Sequence, residues 1–196
     1  MVETSFKKRD NMIIETKKEL KKIIEYEKKI YLGTSSKARI KDRLVNYRLW
    51  SIFQYLKALR KAEYYFNRKN KNIYCEIRYL FAERKKNKIG NRLGIEICNN
   101  SVEKGLFICH SGNIVINGEA RIGRDCILHG DNCIGNDGSN SEAPIIGNNV
   151  DIGVGAKIIG DVKIADNTVI GAGAVVVDSF ENPGSVIVGV PAKRVK

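Results

Sequence analysis

INGEARIGRDCILHGDNCIG (residues 116–135) and IIGNNVDIGVGAKIIGDVKIADNTVIGAGAVV (residues 145–176) carry an aliphatic residue at every sixth position. The series runs Ile116, Ile122, Leu128, Ile134, then Ile146, Ile152, Ile158, Ile164, Ile170 and Val176, with Asn140 as its one break. Two positions earlier the residue is small or β-branched in most turns: Ala120, Cys126, Val150, Ala156, Val162, Thr168, Ala174. Glycine follows the aliphatic at 123, 135, 147, 153 and 171. An amphipathic helix repeats near 3.6 residues and a half-buried strand at 2. The strands of a sandwich are separated by turns every 8–12 residues, with no strict register. A period of six with an inward aliphatic and a Gly-rich corner predicts a parallel β-helix of hexapeptides.

Three hexapeptides make a triangular coil of about 18 residues, and coils stack at strand spacing, about 4.8 Å. Aliphatics fill the prism, small residues let each corner close, and glycines adopt backbone conformations that other residues take only at a cost. About four coils are expected, and both ends must be covered, since a solenoid contacts only its neighbours. The second end is expected after Phe180, where Glu181-Asn182-Pro183-Gly184 turns the chain.

Outward from the repeat, the chain changes character. Residues 1–95 hold 26 Lys or Arg against 10 Asp or Glu, net +16, and the remainder 8 against 12, net −4. Such an excess attracts acidic lipid, nucleic acid or polyanionic substrates, or is simply a solvated helical face. Residues 4–31 read as one helix with Ile13, Leu20, Ile23 or Ile24, Glu27 and Ile30 on a stripe. A second helical region runs from Lys37 to about Arg68, whole or broken once, through Ile40, Leu44, Tyr47, Phe53, Leu56 and Arg60. A third takes Ile73, Ile77, Leu80 and Phe81 as its packed stripe, with Tyr64, Tyr65, Phe66, Tyr74 and Tyr79 in the same helical core. Gly90 and Gly94 mark the boundary. The architecture is α+β: a basic α-helical domain over 1–94 and a β-helix over 95–196.

The five cysteines (75, 98, 109, 126, 133) form no close-spaced metal or redox pair. Cys126 occupies a small interior slot and reads as a packed hydrophobe. No membrane-length apolar run and no signal peptide before Thr4 is read. A reduced cytoplasm is the expected location.

HSGNIVINGEARIG (residues 110–123), APIIGNNVDIGVGAKIIGDVKI (143–164), IGAGAVVV (170–177) and the terminal GVPAKRVK (189–196) resemble the left-handed β-helix of the hexapeptide acyltransferase superfamily. Within it they are most similar to serine acetyltransferases and their polysaccharide-cluster relatives. The resemblance covers nearly all of the chain after about Gly94. It implies an acetyl-CoA-dependent O-acetyltransferase with acetyl-CoA as cosubstrate and no metal. It also implies a homotrimer with sites between subunits. The helical domain that pairs trimers into hexamers in the family is shorter here.

There are two histidines, His110 and His129. A carbonic anhydrase of this fold needs three His ligands for its metal, whereas acyl transfer needs one imidazole base. The resemblance places the base at His110 and its orienting carboxylate at Glu96. His129, 19 residues on, is expected a rung above on nearly the same face, as a second contact, as the base itself or as a corner residue without a role. The donor is expected along Gly135, Gly155-Ala156 and Gly173-Ala174, with Lys193-Arg194 after Pro191, or Lys157, at its phosphate end. Acceptor contacts are expected at Cys109, Asn136 and Glu142.

Two departures from the family bear on the acceptor. Cys109 stands where the family has an Asp that contacts the amino acid, and Glu142-Ala143 replace an Arg-His pair that holds the serine carboxylate. The loop over 136–143 inserts without shifting the six-residue phase, and its composition suits a sugar. The expected acceptor is a sugar hydroxyl of a surface polysaccharide or its precursor, with L-serine as the alternative. A non-catalytic trimeric scaffold is a further reading, as is peripheral membrane contact through the basic helices; no nucleic acid is expected. Cys109 as a nucleophile is disfavoured because the superfamily transfers acyl groups directly.

Overall fold

The computed structural model describes residues 13–33, 35–139 and 141–196, with only the backbone of 36–39. The expected helix over residues 4–12 and the series break at Asn140 lie outside the described residues. Among the described residues, four α-helices and one 3-10 turn (Lys69–Lys71) precede fourteen short strands. The helices are α1 (Lys17–Leu32), α2 (Ser36–Leu44), α3 (Arg48–Phe66) and α4 (Ile73–Leu93). Among the described residues, no helix is long and apolar enough to cross a membrane.

Helix α1 starts later than its periodicity suggests because Thr16 caps it. The Thr16 hydroxyl accepts from the Glu19 N–H at 3.1 Å, and the Glu19 carboxylate accepts from the Thr16 N–H at 3.0 Å. This reciprocal box satisfies two donors that the first turn leaves open. The second helical region breaks once, between Leu44 and Arg48. Of the two glycines read as marking the boundary, Gly90 lies within the last turns of α4, which runs to Leu93. Gly90 is there for packing: a Cβ would lie 2.4 Å from the Ile95 carbonyl and 3.0 Å from the Tyr55 ring. Gly94 then ends the helix in the left-handed region at φ 63°.

The strands stack in three parallel sheets, one per face of a triangular prism. The first holds β1 (Ile95–Ile97), β3 (Ile114–Ile116), β6 (Cys133–Gly135), β9 (Lys157–Ile159) and β12 (Val175–Val176). The second holds β4 (Arg121–Ile122), β7 (Ile145–Ile146) and β10 (Lys163–Ile164), extended by bridges to Val102 and Phe180. The third holds β2 (Phe107–Ile108), β5 (Ile127–Leu128), β8 (Asp151–Ile152), β11 (Val169–Ile170), β13 (Val186–Gly189) and the antiparallel β14 (Ala192–Arg194).

Inside the prism, the aliphatics form columns. Ile97, Ile116, Ile134, Ile158 and Val176 make one; Ile108, Leu128, Ile152, Ile170 and Ile187 another; all are buried. Each column is five deep, deeper than the six-residue series alone gives. Beyond that series, β1 adds Ile97 to the first column, while β2 adds Ile108 to the second and Ile187, which pairs with Ile170 beyond Phe180, adds its last member. The β13–β14 hairpin closes that end.

The helices cover the other end, and one apolar core runs through both halves of the chain. The Tyr31 hydroxyl accepts from the Ile108 N–H at 2.5 Å, and the Tyr55 hydroxyl accepts from the Ile97 N–H at 3.0 Å. Burial pushes both phenols up from their ordinary range, so they stay neutral donors and acceptors. Arg60 donates to the carbonyls of Val102 and Glu103, both at 2.8 Å, and is held by buried Glu27 and Glu63. These side chains satisfy backbone groups that the first coil has no neighbour to pair with.

Helix α4 departs from expectation on its outer face. Ile73, Tyr74, Ile77, Leu80 and Phe81 are exposed, while Cys75, Lys86 and Gly90 are buried. The apolar stripe at helical spacing faces away from the core.

Candidate functional site

The site candidate is the corner between the third sheet and the first. After β2 the chain runs Cys109-His110-Ser111-Gly112-Asn113 into β3, and after β5 it runs His129-Gly130-Asp131-Asn132 into β6. Ile108 pairs with Leu128 and Ile116 with Ile134, so the lower corner is two residues longer than the upper one. His129 therefore sits over Cys109, and Gly130 over His110. A Cβ on Gly130, whose φ is 120°, would stand 3.2 Å from the His110 Cβ and carbonyl oxygen. The glycine is required for the imidazoles to share this corner.

The two rings meet different partners. His129 Nε2 is 2.8 Å from the Asp151 carboxylate, which projects from β8 one rung higher. His110 Nδ1 is 3.1 Å from the Arg48 guanidinium at the start of α3. A guanidinium has no acceptor and a carboxylate no donor at neutral pH. His110 therefore accepts through Nδ1 and carries its proton on Nε2. His129 donates through Nε2 and leaves Nδ1 as a lone pair. An imidazole oriented by a carboxylate with a free lone pair is the arrangement a general base needs.

Glu96, expected beside His110, lies on the outward side of β1 in register with Val115, and the partner of His110 is Arg48 instead. The shift has a physical reason. Glu96 belongs to a strand, from which side chains stand off the sheet face, while His110 belongs to a corner. The sequence spacing of 14 residues falls short of this longer coil. Asp151 and Arg48 are the two site groups that sequence reasoning missed. Asp151 occupies an outward strand slot with no distinguishing pattern, and Arg48 is one basic residue among many.

Cys109 is half-buried between these charges. Burial and the nearby Asp151 carboxylate push its thiol above the ordinary range, with Arg48 opposing them. The thiol is the resting form, which suits a packed acceptor contact and not a nucleophile.

Above the histidines the same corner continues through Gly153-Val154-Gly155 and Gly171-Ala172-Gly173 to Gly189 and the Val190-Pro191 turn. From His110 to that turn is four strand spacings, roughly 19 Å. Gly155 and Gly173 have φ of 75° and 68°, and Gly173 is open to solvent. Ala156 and Ala174 do not line this edge: both side chains are fully buried, and their N–H groups bond to the carbonyls of Gly153 and Gly171. They are the interior residues that close the corner. Gly135 lies at the far end of β6, where a Cβ would meet Asn117.

Lys157 donates to the Asp131 carbonyl at 2.6 Å and pairs with its carboxylate. At the hairpin Lys193 faces Asp178 at 3.7 Å, both largely exposed, and Arg194 donates to the Lys196 carbonyl. Asn136 and Glu142 sit at the two ends of the loop between β6 and β7. That loop leaves the corner between the first and second sheets, so one copy of the chain does not bring it to the histidines.

No family model matches the chain. By sequence it is similar to serine acetyltransferases: 35% identical over 92 residues to that of Synechococcus elongatus, covering 46% of this chain and 37% of the relative. The Mycobacterium tuberculosis enzyme is 38% identical over 90 residues, covering 45% and 39%. The Helicobacter pylori enzyme (strain J99) is 36% identical over 105 residues, covering 52% and 61%. The match thus spans between 37% and 61% of the length of these curated relatives. By structure it is similar to soybean serine acetyltransferase complexed with serine, with a TM-score of 0.69 and 24% identity, covering 90% of this chain and 69% of that one. A serine acetyltransferase in complex with CoA gives a TM-score of 0.67 at 20% identity, covering 91% and 71%. The chain thus has serine acetyltransferase homologues by sequence and structure, and its fold is a helical region followed by a left-handed parallel β-helix.

Proposed function

We propose that this protein is an acetyl-CoA-dependent O-acetyltransferase, and that L-serine, not a sugar, is its acceptor. The observation that carries the reading is the pair of imidazoles on successive rungs, one held by a carboxylate, at the foot of a glycine-lined corner. Relatives named for serine acetylation support the acceptor. The charges of the corner support it too. The argument for a sugar rests on the loss of charged residues at Cys109 and Ala143, and here Asp151 and Arg48 flank Cys109 with one charge of each sign.

In this reading acetyl-CoA lies along the edge through Gly155 and Gly173, its thioester near the histidines and its phosphates toward Lys193 and Arg194. His129 Nδ1 takes the proton of the serine hydroxyl as the oxygen attacks the thioester carbonyl. Asp151 stabilises the imidazolium that forms. The Nε2 proton of His110 is placed to meet the developing oxyanion, where a preorganised donor is worth about 10²–10³ in rate. Collapse breaks the C–S bond, and the departing thiolate takes from His129 the proton that the serine hydroxyl gave up.

In this reading a homotrimer completes the site, with the loop over 136–143 of one copy meeting the histidine corner of the next. Trimer, hexamer and binding to anionic vesicles are separated by sedimentation with and without lipid. The acceptor is tested by coenzyme A release with L-serine against hexoses and nucleotide sugars. A kcat/KM favouring serine by about tenfold or more, some 1.4 kcal/mol, is expected. The reverse ratio would return the acceptor to a sugar, as the polar loop suggests.

A further inference from the structure

We propose that Arg48, the first residue of α3, is the group that recognises a carboxylate on the acceptor. The proposal rests on the acetyltransferase reading and adds a specificity residue contributed by the helical domain. Three observations carry it. The guanidinium reaches from the helical region to the catalytic corner and lies 3.1 Å from His110 Nδ1. It is exposed and forms no ion pair with a carboxylate among the described residues, in contrast to buried Arg60 with its two glutamates. It stands close enough to Cys109 to oppose the effect of Asp151 on that thiol, so cation and anion bracket one small position.

One N–H of the guanidinium fork is used by His110, and the others remain for an oxygen pair. Planar bidentate pairing with a carboxylate is what that geometry favours. A carboxylate held there sets the neighbouring hydroxyl over the imidazoles, so Arg48 selects and orients without moving a proton. Two acceptor classes offer that chemistry, an α-amino acid and a uronic acid.

The test compares L-serine, L-serinamide, glucuronate and glucose as acceptors from acetyl-CoA, in wild type, Arg48→Gln and Arg48→Lys. Circular dichroism confirms that each variant is folded. Losing a charge-assisted contact lowers kcat/KM for the carboxylate-bearing acceptor by about 10- to 100-fold. Because Arg48 also holds His110, Arg48→Gln should slow every acceptor to some degree. The reading is therefore the serine-to-serinamide ratio of kcat/KM, which should fall by about tenfold or more while the KM for acetyl-CoA holds within about threefold of wild type. Arg48→Lys should recover part of that ratio. Serine preferred, with a serine-to-serinamide ratio unmoved by Arg48→Gln, overturns the role of Arg48 and leaves serine as acceptor. Glucuronate preferred, with that preference lost in Arg48→Gln, keeps Arg48 and replaces serine. A preference for neutral acceptors in wild type overturns both.

Discussion

His110 and His129 differ in what one ring nitrogen meets, and neither partner is near in sequence. Asp151 is 22 residues from His129 and Arg48 is 62 from His110. The resemblance points to His110 as the base and leaves the role of His129 open, and neither it nor the spacing reveals the partners that make His129 the stronger candidate. With Asp151 on Nε2, His129→Ala should lower kcat by about 10²–10⁴ while leaving the fold and coenzyme A binding intact. A variant that keeps more than about a third of the wild-type rate would return the base to His110. Cys109 gives a pH test. Burial and Asp151 raise its thiol, so less thiolate is present at neutral pH than in a free peptide. Peptide mapping after iodoacetamide treatment should show Cys109 modified more slowly than a model thiol at pH 7, with the gap closing as pH rises. Faster labelling than the model thiol would mean an activated cysteine.

At the scale of the element, the six-residue phase was legible because every inward slot of the prism is a separate sequence position with its own volume limit. The loop over 136–143 kept that phase only because it adds one hexapeptide length between Ile134 and Ile146, facing columns on adjacent sheets. The alanines were misread for a related reason: a small residue at a corner can line a groove or close the interior, and the sequence is the same. Helix α4 shows a harder limit. Ile73, Ile77, Leu80 and Phe81 have helical spacing, but periodicity gives a stripe without saying what covers it. Burial of Ile152 gives the element-scale prediction. Ile152→Asp puts a charge among Leu128 and Ile170 with no partner, and should abolish folding. Val154→Asp, two residues on but half exposed, should leave far-ultraviolet dichroism and melting temperature near wild type. Equal tolerance of both would mean that the interior is misassigned. By the same logic Ala174→Trp should unfold the coil and not merely block the donor edge.

At the scale of the whole molecule, the two halves divided by composition share one core, and charged residues join them. Glu27 fell on the packed stripe of the first helix and Arg60 on that of the second, positions where a sequence reading expects apolar residues. The first coil supplies the reason: Gly105 and Asn100 donate N–H groups to Glu27 and Glu63, while Arg60 donates to two of the coil's carbonyls. Two buried carboxylates and one guanidinium replace the neighbouring rung that the coil lacks. Removing the cation alone should be costly, since breaking a buried ion pair leaves charges uncompensated, at about 3–5 kcal/mol. That is a large share of the roughly 5–15 kcal/mol of a typical domain. Burial already pushes the Glu63 carboxyl above its ordinary value, with Arg60 pulling it back down. In Arg60→Met it rises further. A carboxyl whose folded pKa exceeds its unfolded one binds more protons in the folded state. Its stabilisation is therefore full below the unfolded value and is lost as pH rises through the folded one. The urea midpoint of Arg60→Met should consequently lie well below wild type at pH 7.5 and close part of that gap as pH falls toward 5. A gap that stays constant over this range would show that the carboxylates are neutralised by something other than Arg60.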